Sequence, residues 1–283
     1  MDYHDQFRRA ATELGVPEDE SARFADLIRF RIRAGRFGGM PHLPAGTPWP
    51  SIWPGAPLAF MASLDCAALP RIAGFALPEA GSLLFFLASA EAVESCSIAD
   101  EQKFARVVHL PAGAETVAAE PPFDEFAEFR DEPLFGPENT LFAKVEVDLP
   151  DWLDLAEDGR SEFQKHLTRD MPHCAELTAL VERLWPGREP WIGEDFLIGG
   201  YSISAQNSPE TQLADEDETH LPPGPERLYR WAEAEHRVMR EWVPLAQFSV
   251  PHKEYVIGRF LIRHEDLAAG RFDKALSFCE FTE

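Results

Sequence analysis

A pair of adjacent glycines occurs twice, Gly38-Gly39 and Gly199-Gly200, and each pair opens the same succession of segments. After the first come an extended stretch, a strand pattern ending Met61-Ala62-Ser63-Leu64, and Gly81 before Leu83-Leu84-Phe85-Phe86. After the second come Leu245-Ala246-Gln247-Phe248 and Gly258 before Phe260-Leu261-Ile262. The spacings differ, so the insertions fall in loops. This recurrence predicts an internal duplication, with chance similarity between two strand-rich segments as the alternative. Two such β-rich halves would pack face to face, each covering the other's apolar side.

The segments around these landmarks predict an α+β, mainly β fold in one compact unit. Residues 1–35 read as an N-terminal helical segment. Pro17 suits a first helical position, Glu18, Asp19 and Glu20 suit the positive end of the helix dipole, and Phe24, Leu27 and Ile28 recur at helical spacing. Arg29, Arg31 and Arg33 then suit the helix C-terminus, and Gly35 a stop. Residues 36–150 form the first β-rich repeat. Within it Leu83 to Leu87 is a continuous apolar run of the kind buried on both faces, and residues 141–147 alternate. Residues 151–195 read as a mainly helical connection and 196–283 as the second repeat. Asp215-Glu216-Asp217-Glu218 lies in a polar insertion of that repeat and reads as a solvated charged loop.

Charge narrows the class of partner. There are 49 acidic and 26 basic residues, a formal net charge of −23. That field repels nucleic acid and anionic membrane surfaces. It attracts a basic protein partner, though solubility alone also accounts for it. Part of the acidity is local: Glu115 to Glu138 holds eight carboxylates and one cation, with Phe123, Phe126, Phe129 and Phe135 interleaved. Asp124, Glu125, Glu128, Asp131 and Glu132 form the candidate partner-binding patch; the alternative is a solvated loop with its aromatics tucked under.

Cys66, Cys96, Cys174 and Cys279 lie far apart, without a Cys-x-x-Cys pair, and read as reduced and mostly buried. The start, Met1-Asp2-Tyr3-His4-Asp5, lacks the basic and apolar regions of a secretory signal, and the apolar runs are too short to span a bilayer. A cytoplasmic location is the expectation.

The motifs of nucleophile elbows, phosphate loops, dinucleotide folds and zinc proteases do not occur. His166, His173 and Cys174 are the nearest approach to a metal cluster, but Pro172 disturbs their spacing, and no metal or cofactor is expected. More informative are polar residues where strands should be apolar. Tyr201, Gln206 and Gln247, with Ser63 at the matching position of the first repeat, form a candidate polar pocket near the seam, with Trp49 and Trp242 as walls. The competing reading is a structural hydrogen-bond network joining the halves.

Four stretches together resemble the YwqG-like proteins, a bacterial family of unknown function. They are Arg36 to Pro44 with Trp49-Pro50; Pro57 to Asp65 with Gly81 to Phe86; Leu197 to Tyr201 with Gln206; and Trp242 to Phe248 with Gly258 to Phe272. The resemblance implies a β-rich fold with an internal repeat and brings no established activity or catalytic residue. The family tends to carry Gln where this chain has Ser63, while Gln247 is kept. A symmetric pair of glutamines would therefore be degraded in the first half. Some relatives sit beside toxin genes, so the resemblance also suggests an immunity-type binding protein that neutralises a basic partner. The competing expectation is a small-molecule-binding protein or unclassified enzyme using the polar pocket. Enzymatic activity is not the leading expectation.

Overall fold

The computed structural model describes residues 3–72, 74–125, 127–128, 133–186, 196–218, 223–251 and 253–282. The chain starts with α1 (Tyr3–Glu13) and α2 (Glu18–Ala25), which stack Phe7 on Phe24 at 5.6 Å. The helix expected to run through Arg33 stops at Ala25, and β1 occupies Arg29–Phe37. Helical spacing of Phe24, Leu27 and Ile28 concealed the alternation that follows. Phe30 and Ile32 are buried in the core, while Arg31 and Arg33 meet carboxylates of a distant strand.

Short strands follow: β2 (His42–Pro44), β3 (Ser51–Trp53) and β4 (Ala56–Pro57). Then come β5 (Ala59–Asp65), β6 (Ser82–Leu87), α3 (Ser89–Val93), α4 (Ile98–Glu101), a 3-10 turn at Gln102–Phe104 and β7 (Ala105–Leu110). β8 (Thr116–Ala118) pairs with β2, and β9 (Asn139–Asp148) returns to β1. The connection carries α5 (Glu162–Arg169) and α6 (Cys174–Leu184). Next are β10 (Leu197–Gly199), α7 (Pro209–Glu218), α8 (Pro225–Glu241), β11 (Trp242–Val250), β12 (Lys253–Arg263), α9 (His264–Ala268), a 3-10 turn at Phe272–Lys274 and β13 (Leu276–Phe281). Asp215 to Glu218 are the last turn of α7 rather than a charged loop. Ser208 starts that helix by accepting from the Thr211 N–H at 3.0 Å, and Pro209 occupies its first position.

The main sheet is antiparallel, in the order β13-β12-β11-β10-β1-β5-β6-β7, with β9 on the other edge of β1. β1 is the junction. Its Arg31 to Arg33 pair with β10, and its Arg36 and Phe37 pair with β5. Strands spaced about 4.8 Å apart would hold β6 and β12 far from one another in a flat sheet. Instead the Phe85 ring of β6 lies 5.2 Å from Phe260 of β12, and Phe196 stacks on Phe248 at 5.4 Å. The sheet curls until its two wings meet face to face, and the main core lies between them.

The wings share register. Gly38, Gly39, Gly199 and Gly200 all have φ between 70° and 77°, the left-handed region. Ser63 pairs with Arg36, two residues before Gly38, and Gln247 pairs with Leu197, two residues before Gly199. β5 is bulged between Phe60 and Ala62 and β11 between Pro244 and Ala246, the same distance from Ser63 and Gln247. Across the next ladder Ser63 faces Leu84, and Gln247 faces Arg259. One further strand out, Leu84 faces Val108 and Arg259 faces Phe278. In this register Gly258 corresponds to Leu83, so it does not match Gly81. Each wing also inserts helices before its last strand, and the inserts dock reciprocally. Gln102 bonds both backbone groups of Ser277 in β13, and Phe272 packs on His109 of β7 at 4.9 Å.

Candidate functional site

In the second wing the loop after Gly200 is held by three side chains from successive strands. Gln247 on β11 accepts from the Ile203 N–H at 2.7 Å and donates to the Tyr201 carbonyl at 3.0 Å. Arg259 on β12 donates to the Ile203 carbonyl at 2.8 Å and to the Phe278 carbonyl at 3.3 Å, and lies 3.3 Å from Glu280. Glu280 on β13 accepts from the backbone N–H groups of Ala205, Gln206 and Asn207. Gln247 and Arg259 are fully buried. Removing such groups from water is costly, and pairing of this kind is what makes their burial tolerable.

Tyr201 anchors the start of the same loop. Its N–H donates to Asp148 at 2.8 Å, and its hydroxyl donates to the Leu27 carbonyl at 2.8 Å. Burial pushes the hydroxyl up to about 12, so it stays protonated and able to donate. The Arg29 guanidinium covers its ring at 4.2 Å. The bases of β1 thus tie this loop to β9, where Asp148 also pairs with Arg31 at 3.7 Å.

In the first wing the corresponding positions are Ser63, Leu84 and Leu110. All three line a cavity of about 670 Å³, with Met40, Pro41 and His42 of the loop after Gly39. Asp65, Gly81, Ser82 and Thr116 contribute polar or small surface. A serine is two carbon atoms shorter than a glutamine, and leucines replace the arginine and glutamate that bridge the second wing. Gly81 shapes the floor: its φ is +96°, and a Cβ there would stand 2.4 Å from the Leu110 carbonyl oxygen.

The backbone of this loop has a definite polarity. His42 pairs with Ala118, and the flanking bond runs from the Ala119 N–H to the Pro41 carbonyl at 2.9 Å. His42 is therefore the non-hydrogen-bonded member of its antiparallel pair, and its N–H and C=O point away from β8. His42 follows Gly38 by the same interval as Ile203 follows Gly199, and Met40 likewise matches Tyr201. The two residues at the positions that Gln247 and Arg259 engage in the second wing, Met40 and His42, thus line the cavity in the first.

The six residues of the expected polar pocket part into separate places. Tyr201 and Gln247 meet in the second-wing clamp, and Gln206, exposed, joins it through its N–H. Ser63 lines the first-wing cavity. Trp49 lies in a first-wing apolar cluster, donating to the Leu58 carbonyl at 2.8 Å with its ring edge on Phe86. Trp242 packs with Val238, Leu261 and Phe278 beneath Arg263. In the acidic stretch, Glu125 accepts from Trp53 at 3.3 Å, while Asp124 and Glu128 lie on the same segment. Asp131 and Glu132 fall outside the described residues. His173 is bound to Glu20, its Nδ1 2.8 Å from the carboxylate, which lifts its pKa.

Arg259, Glu280, Leu84 and Leu110 were not legible as site residues. The one signal was a lone arginine inside the apolar run Val256 to Ile262. Ser63 and His42 share the cavity wall, and Asp65 accepts from the Ala67 N–H at 3.0 Å.

No curated protein matches the chain. The family model described as Domain of unknown function (DUF1963) matches residues 35–280, from the middle of β1 into β13, so both wings are included and the chain belongs to that family.

Proposed function

We propose that the protein is a binding protein whose first-wing cavity takes a small ligand, and that its two wings descend from one duplicated unit. A single observation carries this: three positions of matching register close the second wing as Gln247, Arg259 and Glu280 and open the first as Ser63, Leu84 and Leu110. The matched glycine pairs, bulges and reciprocal inserts support the duplication. The second wing then serves as the copy closed by its own side chains, and the first as the copy freed for binding. The volume falls in the range of small-molecule sites. A ligand-dependent thermal-shift screen on the wild type and Ser63→Gln tests it. Compounds that raise the melting temperature of the wild type but not of Ser63→Gln support the cavity. Compounds acting equally on both place binding elsewhere.

A second proposal is a basic protein partner for the acidic stretch, in an immunity-type role. It rests on Phe123, 81% exposed next to Asp124. Loss of a captured partner on Phe123→Ser, at unchanged stability, would support it, and retention would exclude this segment.

A further inference from the structure

Resting on the cavity as a ligand site, we infer that the group it accepts is a guanidinium, presented by a small molecule or by an arginine side chain. The second wing shows what fills this place when the protein fills it itself. There the buried Arg259 guanidinium donates to the Ile203 carbonyl and lies against the Glu280 carboxylate, while the Gln247 amide donates to the Tyr201 carbonyl. By position the matching carbonyls of the first wing are those of His42, which faces away from β8, and Met40, and both residues line the void. Leu84 cannot supply the guanidinium, and Leu110 cannot supply the carboxylate.

A carboxylate is nonetheless present, from a different position. Asp65 lines the cavity two residues along β5 from Ser63. The chain as a whole carries a net charge of −23. Two carbonyls and a carboxylate form an acceptor set. A planar, permanently charged donor fork satisfies such a set better than a compact ammonium, which acts as a point charge. An anionic ligand would meet Asp65 and the overall field, and a neutral amide would leave the carboxylate unanswered. The apolar wall of Phe60, Leu69, Leu84 and Leu110 suits the short methylene stem that carries a guanidinium in arginine-like molecules.

The test is calorimetric titration of the full chain with agmatine, with 1,4-diaminobutane, which matches its stem and double charge but has an ammonium in place of the guanidinium, with butyrate, and with an uncharged-flank tetrapeptide containing one arginine. Agmatine should bind at least about tenfold more tightly than 1,4-diaminobutane, with butyrate silent. Ser63→Gln should abolish binding by filling the space. Asp65→Asn keeps an oxygen for the Ala67 N–H, removes the charge, and should weaken agmatine by about tenfold or more. Binding of the peptide alone identifies a partner's arginine as the source, and binding of agmatine identifies a free small molecule. Equal affinity for agmatine and 1,4-diaminobutane, or indifference to Asp65→Asn, overturns the guanidinium assignment. If other compounds still stabilise the wild type but not Ser63→Gln, the cavity stands without it. If no compound does, both fall.

Discussion

The Gln247 amide bridges the loop at Ile203, accepting from its N–H at 2.7 Å while donating to the Tyr201 carbonyl two residues earlier. Gln247 is fully buried, and both bonds are partly shielded from water. Gln247→Ala should destabilise the protein by about 1–3 kcal/mol, because it removes both bonds and leaves a half-buried donor and acceptor without their partner. Urea unfolding checks this, with an unchanged m-value showing that the native state stays compact.

Arg259 and Glu280 should behave as a coupled pair. Arg259→Leu leaves the Glu280 carboxylate without its 3.3 Å counter-charge and should cost about 3–5 kcal/mol. Arg259→Leu with Glu280→Leu reproduces the first wing's residues. The double variant should lose less than the sum of the singles by more than about 1 kcal/mol. Strict additivity in the double-mutant cycle would show that the two act independently.

Glu101 makes stability pH-dependent. It accepts from the Ser277 hydroxyl at 3.0 Å where α4 meets β13, and burial pushes its pKa up to about 7. Its folded value lies above the unfolded one, so the native state holds the extra proton. Stability attributable to this group is present in acid and falls as pH rises from about 4.5 to about 7. Glu101→Gln should flatten that fall, with the difference between wild type and variant changing by up to about 3 kcal/mol between pH 5 and 8. Melting curves across that range measure it. A parallel pH profile for the two proteins would contradict the assignment.

Gly81→Ala should destabilise by more than about 1 kcal/mol. A Cβ there combines a left-handed backbone with a 2.4 Å approach to the Leu110 carbonyl oxygen. Leu110 borders the cavity, so ligand affinity should fall along with stability. Titration of a ligand found in the thermal screen reads the second effect.

Strands with an unbroken apolar run or a clear alternation, such as β6, β9 and β12, were legible because burial dictates their side chains locally. The correspondence of Ser63 with Gln247 was legible too, through the flanking Met61-Ala62 and Leu245-Ala246. β1 was not. Its arginines suit a helix end, and their real partners, Glu146 and Asp148, lie more than a hundred residues away. The clamp was missed for a different reason. Matching Gly81 to Gly258 shifts the second wing by two residues and conceals that Arg259 corresponds to Leu84. The two glycines have unlike tasks. Gly81 takes a left-handed turn against Leu110, whereas Gly258 makes room between Phe248 and Leu87. Local texture shows that a glycine is needed, and only the ladder shows why.

The most direct test of the account is amide chemical-shift mapping of a stabilising compound on the wild type and on Ser63→Gln. The cavity predicts wild-type shifts concentrated at Met40, His42, Ser63 to Asp65, Gly81 to Leu84 and Leu110 to Thr116, absent from Ser63→Gln. Shifts centred on the Gln247 clamp, or a pattern unchanged by Ser63→Gln, would contradict it.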